Sequence, residues 1–89
     1  MITKVEIDDS TMAKLHALPV PTIKKVLGWV ADVNDLGIAE VQKLPAYQDA
    51  SVPGSPGRRR TRVTMEHSLV YSVRAGVVWI EDINENENN

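Results

Sequence analysis

RRRTRVTMEHSLVYSVRAGVVWIEDI, residues 58–83, is the stretch that decides the fold. Its side chains alternate. Thr61, Val63 and Met65 are interleaved with Arg60, Arg62 and Thr64, and Leu69, Tyr71 and Val73 with Ser68, Val70 and Ser72. Val77 to Ile83 form a third run. A period of two belongs to a strand, whose successive side chains point to opposite faces. Arg74, Ala75 and Gly76 have the composition of a tight turn between the second and third runs. The stretch therefore predicts three consecutive antiparallel strands.

Upstream of residue 45 the period becomes that of a helix. Ile23, Val26, Leu27, Val30 and Val33 follow the i, i+3, i+4, i+7 rule, and Pro21 suits the start of that helix because its missing N–H costs nothing there. Gly37 ends it near Leu36, and residues 38–44 allow another turn or two. Before it, Asp8, Asp9 and Ser10 offer N-cap oxygens to a short helix carrying Met12, Leu15 and Leu18, closed by Pro19 and Pro21. Residues 2–7 read as a first strand with Thr3, Val5 and Ile7 on one side. The prolines and glycines of PAYQDASVPGSPG, residues 45–57, predict a loop with no regular element. The order strand, two or three helices, three strands is that of an α+β domain with helices packed on an antiparallel sheet. Ile23, Val26, Leu27, Val30, Val63, Leu69, Tyr71 and Val73 are expected to share its core.

With 89 residues the chain has room for one core, so residues 1–89 are read as a single domain. Apolar residues at 43% and charged residues at 25% are globular proportions and exclude a disordered chain. Cysteine is absent, which removes disulfide scaffolds, thiol nucleophiles and cysteine zinc sites. No apolar run approaches membrane-spanning length, and MITKVEIDDS is too acidic and too alternating for a signal peptide. The cytoplasm is the expected compartment.

The net charge of −2 hides an uneven distribution. Every arginine (Arg58, Arg59, Arg60, Arg62, Arg74) falls in one stretch that contains a single acid, Glu66, and the end of the chain is rich in Glu and Asn. Such a strip is either a solvated strand face or a binding surface. Arg60 and Arg62, two apart on a strand, share a face suited to phosphate oxygens or to acidic side chains of a protein. No aromatic residue is interleaved with them, which speaks against a stacking platform. His16 reads as a helix-surface residue. His67 sits at a strand turn near the arginines, where it is either structural or a general acid–base, since histidine titrates near neutral pH. The motifs needed for a metal site, a phosphate-binding glycine loop or a serine nucleophile are missing, so neither metal nor cofactor is expected.

GRRRTRVTMEHSLVYSV, residues 57–73, resembles the second and third strands of the RelE/ParE toxin superfamily, in particular HigB-like toxins of bacterial type II toxin–antitoxin modules. Arg59 and Arg62 match early basic positions, and Tyr71 a late tyrosine. LGIAEVQKLPAY, residues 36–47, resembles the helix-to-loop segment ending in Lys, hydrophobic, Pro, with Lys43 as the lysine, and WIEDINENENN resembles a final strand and tail. The resemblance implies a ribosome-dependent mRNA endonuclease with a cognate antitoxin as partner. Catalysis would fall to His67, Arg62 and Tyr71, and RNA or partner binding to Arg58, Arg59, Arg60, Arg74 and Lys43. Two departures imply weakened or lost cleavage. His67-Ser68 stands where family nucleases often place Tyr-Arg, and the tail reads Asn84, Glu85, Asn86, Glu87 where theirs is basic or aromatic. The alternative is a toxin-fold protein that binds an antitoxin or a gyrase-like target without cutting RNA.

Overall fold

The computed structural model describes residues 1–86. The expected α+β architecture is present. In chain order the elements are β1 (Lys4–Ile7), α1 (Asp9–His16), α2 (Val20–Leu36), α3 (Ile38–Val41), a 3-10 turn (Pro45–Tyr47), β2 (Ala50–Ser51), β3 (Arg58–Arg62), β4 (His67–Arg74) and β5 (Val77–Glu85). Glu87, part of the acidic tail, lies outside the described residues.

The three C-terminal strands pair in sequence, antiparallel, and the sheet order is β1-β5-β4-β3-β2. β1 joins β5 in parallel, so the sheet is mixed rather than wholly antiparallel. The β4–β5 hairpin closes with two residues of positive φ, Ala75 at 52° and Gly76 at 75°. This is what a two-residue turn matched to strand twist demands. A bulge at Val70/Tyr71 leaves Glu81 unopposed on β5. The 45–57 segment is more ordered than its composition suggested, because it contains the 3-10 turn and a two-residue strand paired to Arg59 and Arg60.

Asp8 caps α1 through its carboxylate, which accepts from Thr11 N–H at 2.7 Å and is thereby held below the ordinary carboxylate range. Beyond the end of β1, α1 continues alongside β5: Thr11 Oγ1 donates to the Glu81 carbonyl at 3.3 Å, and Lys14 pairs with Asp82 at 2.6 Å.

The helices cover one face of the sheet. Val26, Trp29 and Val33 of α2 pack with Leu69, Tyr71, Val78, Ile80 and Ile83, all buried. The expected core is corrected at two positions and half-met at two others. Leu27 is 56% exposed and Val73 37%, whereas Ile23 and Val30 flank the core partly buried. The buried stripe of α2 runs Thr22, Val26, Trp29, Val33, so the helix is turned to bury its tryptophan, and Leu27 falls on the solvent side. Met65, expected to continue the apolar face of β3, is 76% exposed because β3 ends at Arg62.

Candidate functional site: an arginine-lined cleft on the open face of the sheet

Alternation along β3 divides the arginines. Arg58, Arg60 and Arg62 stand opposite Ser72, Val70 and Ser68 on the face away from the helices, while Arg59 and Thr61 stand opposite Tyr71 and Leu69 on the helix side. Arg58 is paired with Glu81 at 3.1 Å. Among the described residues Arg60 and Arg62 form no ion pair. They line an open polar cleft of about 420 Å3 together with Gln48, Ser68, Asn84, Glu85 and Asn86. Asn86 closes one end, donating from Nδ2 to the carbonyls of Met65 at 3.0 Å and Thr64 at 3.2 Å and accepting from Ser68 Oγ. Among the described residues the cleft thus sets two guanidinium groups without an ion pair against one carboxylate, Glu85. Guanidinium forks match phosphate or carboxylate oxygens, so this is an anion-binding arrangement.

The other expected site residues lie elsewhere. His67 immediately precedes Ser68 and so points to the opposite face. It is 8% exposed, and its Nδ1 lies 3.3 Å from Thr22 Oγ1 of α2. It borders a separate, mostly apolar recess with Pro19, Pro21 and Met65. Tyr71 is fully buried against Trp29, with ring centroids 5.2 Å apart. Its hydroxyl donates to Asp49 Oδ2 and accepts from Gln42 Nε2 at 3.1 Å. Burial, and then the bond to Asp49, push this phenol well above its ordinary pKa. Arg59 Nε donates to Asp49 Oδ1, and this bond raises the guanidinium further. Arg74 stacks over Trp79 at 5.1 Å, about 20 Å along β4 from Ser68 by strand rise. Lys43 pairs with Glu40 at 3.2 Å on the helical side. Of the eight residues singled out by sequence, the structure brings Arg60 and Arg62 together in the cleft, places Arg58 on the same face, and holds the other five away from it.

Two residues of the site carried no sequence signal. Gln48 forms a wall of the cleft, and Asp49 is the buried anchor beneath it. Both lie in a proline-bounded polar loop where periodicity has nothing to report.

No protein-family model and no curated sequence matches the chain. Solved structures do. The chain is similar to the archaeal RelE–RelB complex from Pyrococcus horikoshii OT3 at a TM-score of 0.78 and 17% identity, covering 100% of both chains. It is similar to the YoeB–YefM complex from Staphylococcus aureus at 0.70 and 14%, covering 94% of this chain and 97% of that one. A YoeB/ParE toxin from Agrobacterium tumefaciens matches at 0.70 and 13%, with 94% and 99% covered. These are likenesses of the RelE, YoeB and ParE kind, and they do not single out the HigB-like subgroup. Correspondence from end to end at these TM-scores shows the fold: this chain has the RelE/ParE toxin fold.

Proposed function

We propose that the chain is the toxin of a toxin–antitoxin pair, working in the cytoplasm as a single toxin-fold domain and engaging RNA through the Arg60–Arg62 cleft. The observation that carries this reading is the pairing of the fold with two arginines that have no ion partner among the described residues and line an open polar cleft. The solved neighbours from Pyrococcus and Staphylococcus are complexes with RelB and YefM, which supports a cognate antitoxin here. In this reading the cleft binds single-stranded mRNA directly, on or off the ribosome, Arg60 and Arg62 hold the phosphate, and Glu85 is the carboxylate of the cleft available to a 2′-hydroxyl proton.

A second reading has a specific observation behind it. His67 and Tyr71 face the helices, so the cleft has neither an imidazole nor a phenol for proton transfer. A toxin-fold protein that binds an antitoxin or a gyrase-like target without cutting RNA would need neither. Controlled expression in bacteria, with growth and mRNA 5′ ends followed together, separates the two. Growth arrest with new 5′ ends, both lost in Arg60→Glu/Arg62→Glu, supports the nuclease. Arrest without new ends supports the binder. Absence of both arrest and antitoxin binding overturns the proposal.

A further inference from the structure

Among the described residues two non-glycine residues have positive φ, Ala75 and Gln48. The first is required by the hairpin turn. The second, at φ 47° and ψ 45°, sits at the C-terminal end of the Pro45–Tyr47 turn. A cap of this kind ordinarily takes Gly or Asn, because a longer side chain is strained in the left-handed region. Here a glutamine occupies it, and the chain on both sides is pinned. The Tyr47 hydroxyl donates to Asp32 at 2.6 Å, and the Tyr47 carbonyl accepts from Thr61 Oγ1 at 3.1 Å. Asp49, whose side chain is 1% exposed, is held by Arg59 and Tyr71. Gln48 itself is exposed, its carboxamide makes no hydrogen bond among the described residues, and it forms the cleft wall beside Arg60 and Arg62. Backbone strain kept in place by such over-determined surroundings is characteristic of sites with a task.

We infer that Gln48 reads a nucleobase: its carboxamide, carried into the cleft wall by a backbone fixed in the left-handed conformation, presents one donor and one acceptor to the base whose phosphate lies on Arg60 and Arg62. A carboxamide pairs in bidentate fashion with the N6/N7 edge of adenine, so the ligand is single-stranded RNA with adenine at that position. The inference rests on the RNA reading proposed above and assigns its base specificity. Gln48 adds selection, and the arginines add affinity that any sequence would enjoy.

The test is fluorescence anisotropy with labelled oligoadenylate, oligouridylate and oligocytidylate, on wild type, Gln48→Gly, Gln48→Ala and Arg60→Gln/Arg62→Gln. Wild type should favour oligoadenylate by about 5- to 150-fold, the range of one bidentate base contact. Both Gln48 variants should bring the three oligomers to near equality by weakening the adenylate complex. Gln48→Gly should melt no lower than wild type, because relief of the strain offsets the added freedom of its unfolded chain. The double arginine variant should bind all three oligomers more weakly, by the same factor. A preference that survives in the Gln48 variants, or arginine-dependent binding with no preference in wild type, overturns the assignment of Gln48. Binding by wild type that does not depend on the arginines, or no binding, overturns the RNA reading, and this inference with it.

Discussion

Arg59 donates from Nε to Oδ1 of Asp49 at 2.5 Å, and the carboxylate it meets has 1% of its side chain exposed. This pairing takes one arginine out of a run of three and makes it part of the scaffold. The same carboxylate accepts from Tyr71, and Arg59 reaches on from Nη1 to Ser51 Oγ at 3.2 Å. The loop that carries Gln48 is thereby fastened to the sheet, and the cleft acquires a fixed wall.

Removing the anchor should be costly. Asp49→Ala leaves a partly buried guanidinium and a buried phenol without their acceptor. Hydrogen bonds to charged groups are worth about 1.5–3 kcal/mol, and Arg59, a third exposed, regains some hydration. A loss of about 2 kcal/mol in urea unfolding is expected. Tyr71→Phe, which deletes one bond and leaves the ion pair, should lose about 1 kcal/mol. Equal stability of wild type and Asp49→Ala would show that the loop is not fastened this way.

The two tyrosines report the same scaffold at alkaline pH. Tyr47, bonded to Asp32, and Tyr71, bonded to Asp49, are both raised above the ordinary 10.0, chiefly by burial. The chain has no other tyrosine. A raised folded value for an acid that becomes anionic means that the folded state keeps its proton after the unfolded chain has lost it. The stabilisation is complete below pH 10 and is lost as the pH climbs above it. Ultraviolet titration of the native protein should show no tyrosinate at pH 10, where free tyrosine is half ionised. Ordinary half-ionisation there would contradict the burial of Tyr71 and the partly buried bond of Tyr47 to Asp32.

How far the sequence reached follows from which interactions are local. Strand alternation is local, so residues 58–83 revealed three strands and the hairpin turn, and helical spacing revealed α2. Which face α2 buries is set by contacts with distant strands. Leu27 and Trp29 both fit an apolar helix, and the fit of Trp29 against Tyr71 decides between them. The cleft was half legible for the same reason. Alternation placed Arg60 and Arg62 on one face, but did not say that Arg59 meets an acid ten residues earlier, or that Gln48 lines the cleft beside the pair. His67 shows the limit: proximity in sequence to Ser68 and the arginines is reversed by alternation, which sends its ring to the other face.

His67→Gln should therefore act on stability rather than on the cleft. The imidazole is buried against Thr22, and both partners are nearly sealed from solvent. Loss of the ring and its hydrogen bond should cost about 1–2 kcal/mol, the range for a buried group losing its partner. RNA affinity at the Arg60–Arg62 cleft should be unchanged at temperatures where the variant is folded. Anisotropy and thermal melts on one preparation check both halves, and a folded His67→Gln protein with markedly weakened binding would bring the histidine back into the site.

The sharpest contrast is between neighbouring arginines. Arg60→Glu/Arg62→Glu changes two side chains without ion partners among the described residues, so the melt should shift little, by no more than about 0.5 kcal/mol per surface site. Arg59→Glu places a second carboxylate against a buried one and should unfold the protein or cost several kcal/mol. Binding of single-stranded RNA should report the reverse ranking of function. Each phosphate contact contributes about 0.7 to the slope of log K against log salt for single strands. Arg60→Gln/Arg62→Gln should therefore flatten that slope by about 1.4 while remaining folded. A slope unchanged by the double neutral variant would mean that the phosphates are held somewhere other than the cleft, whatever the affinity did.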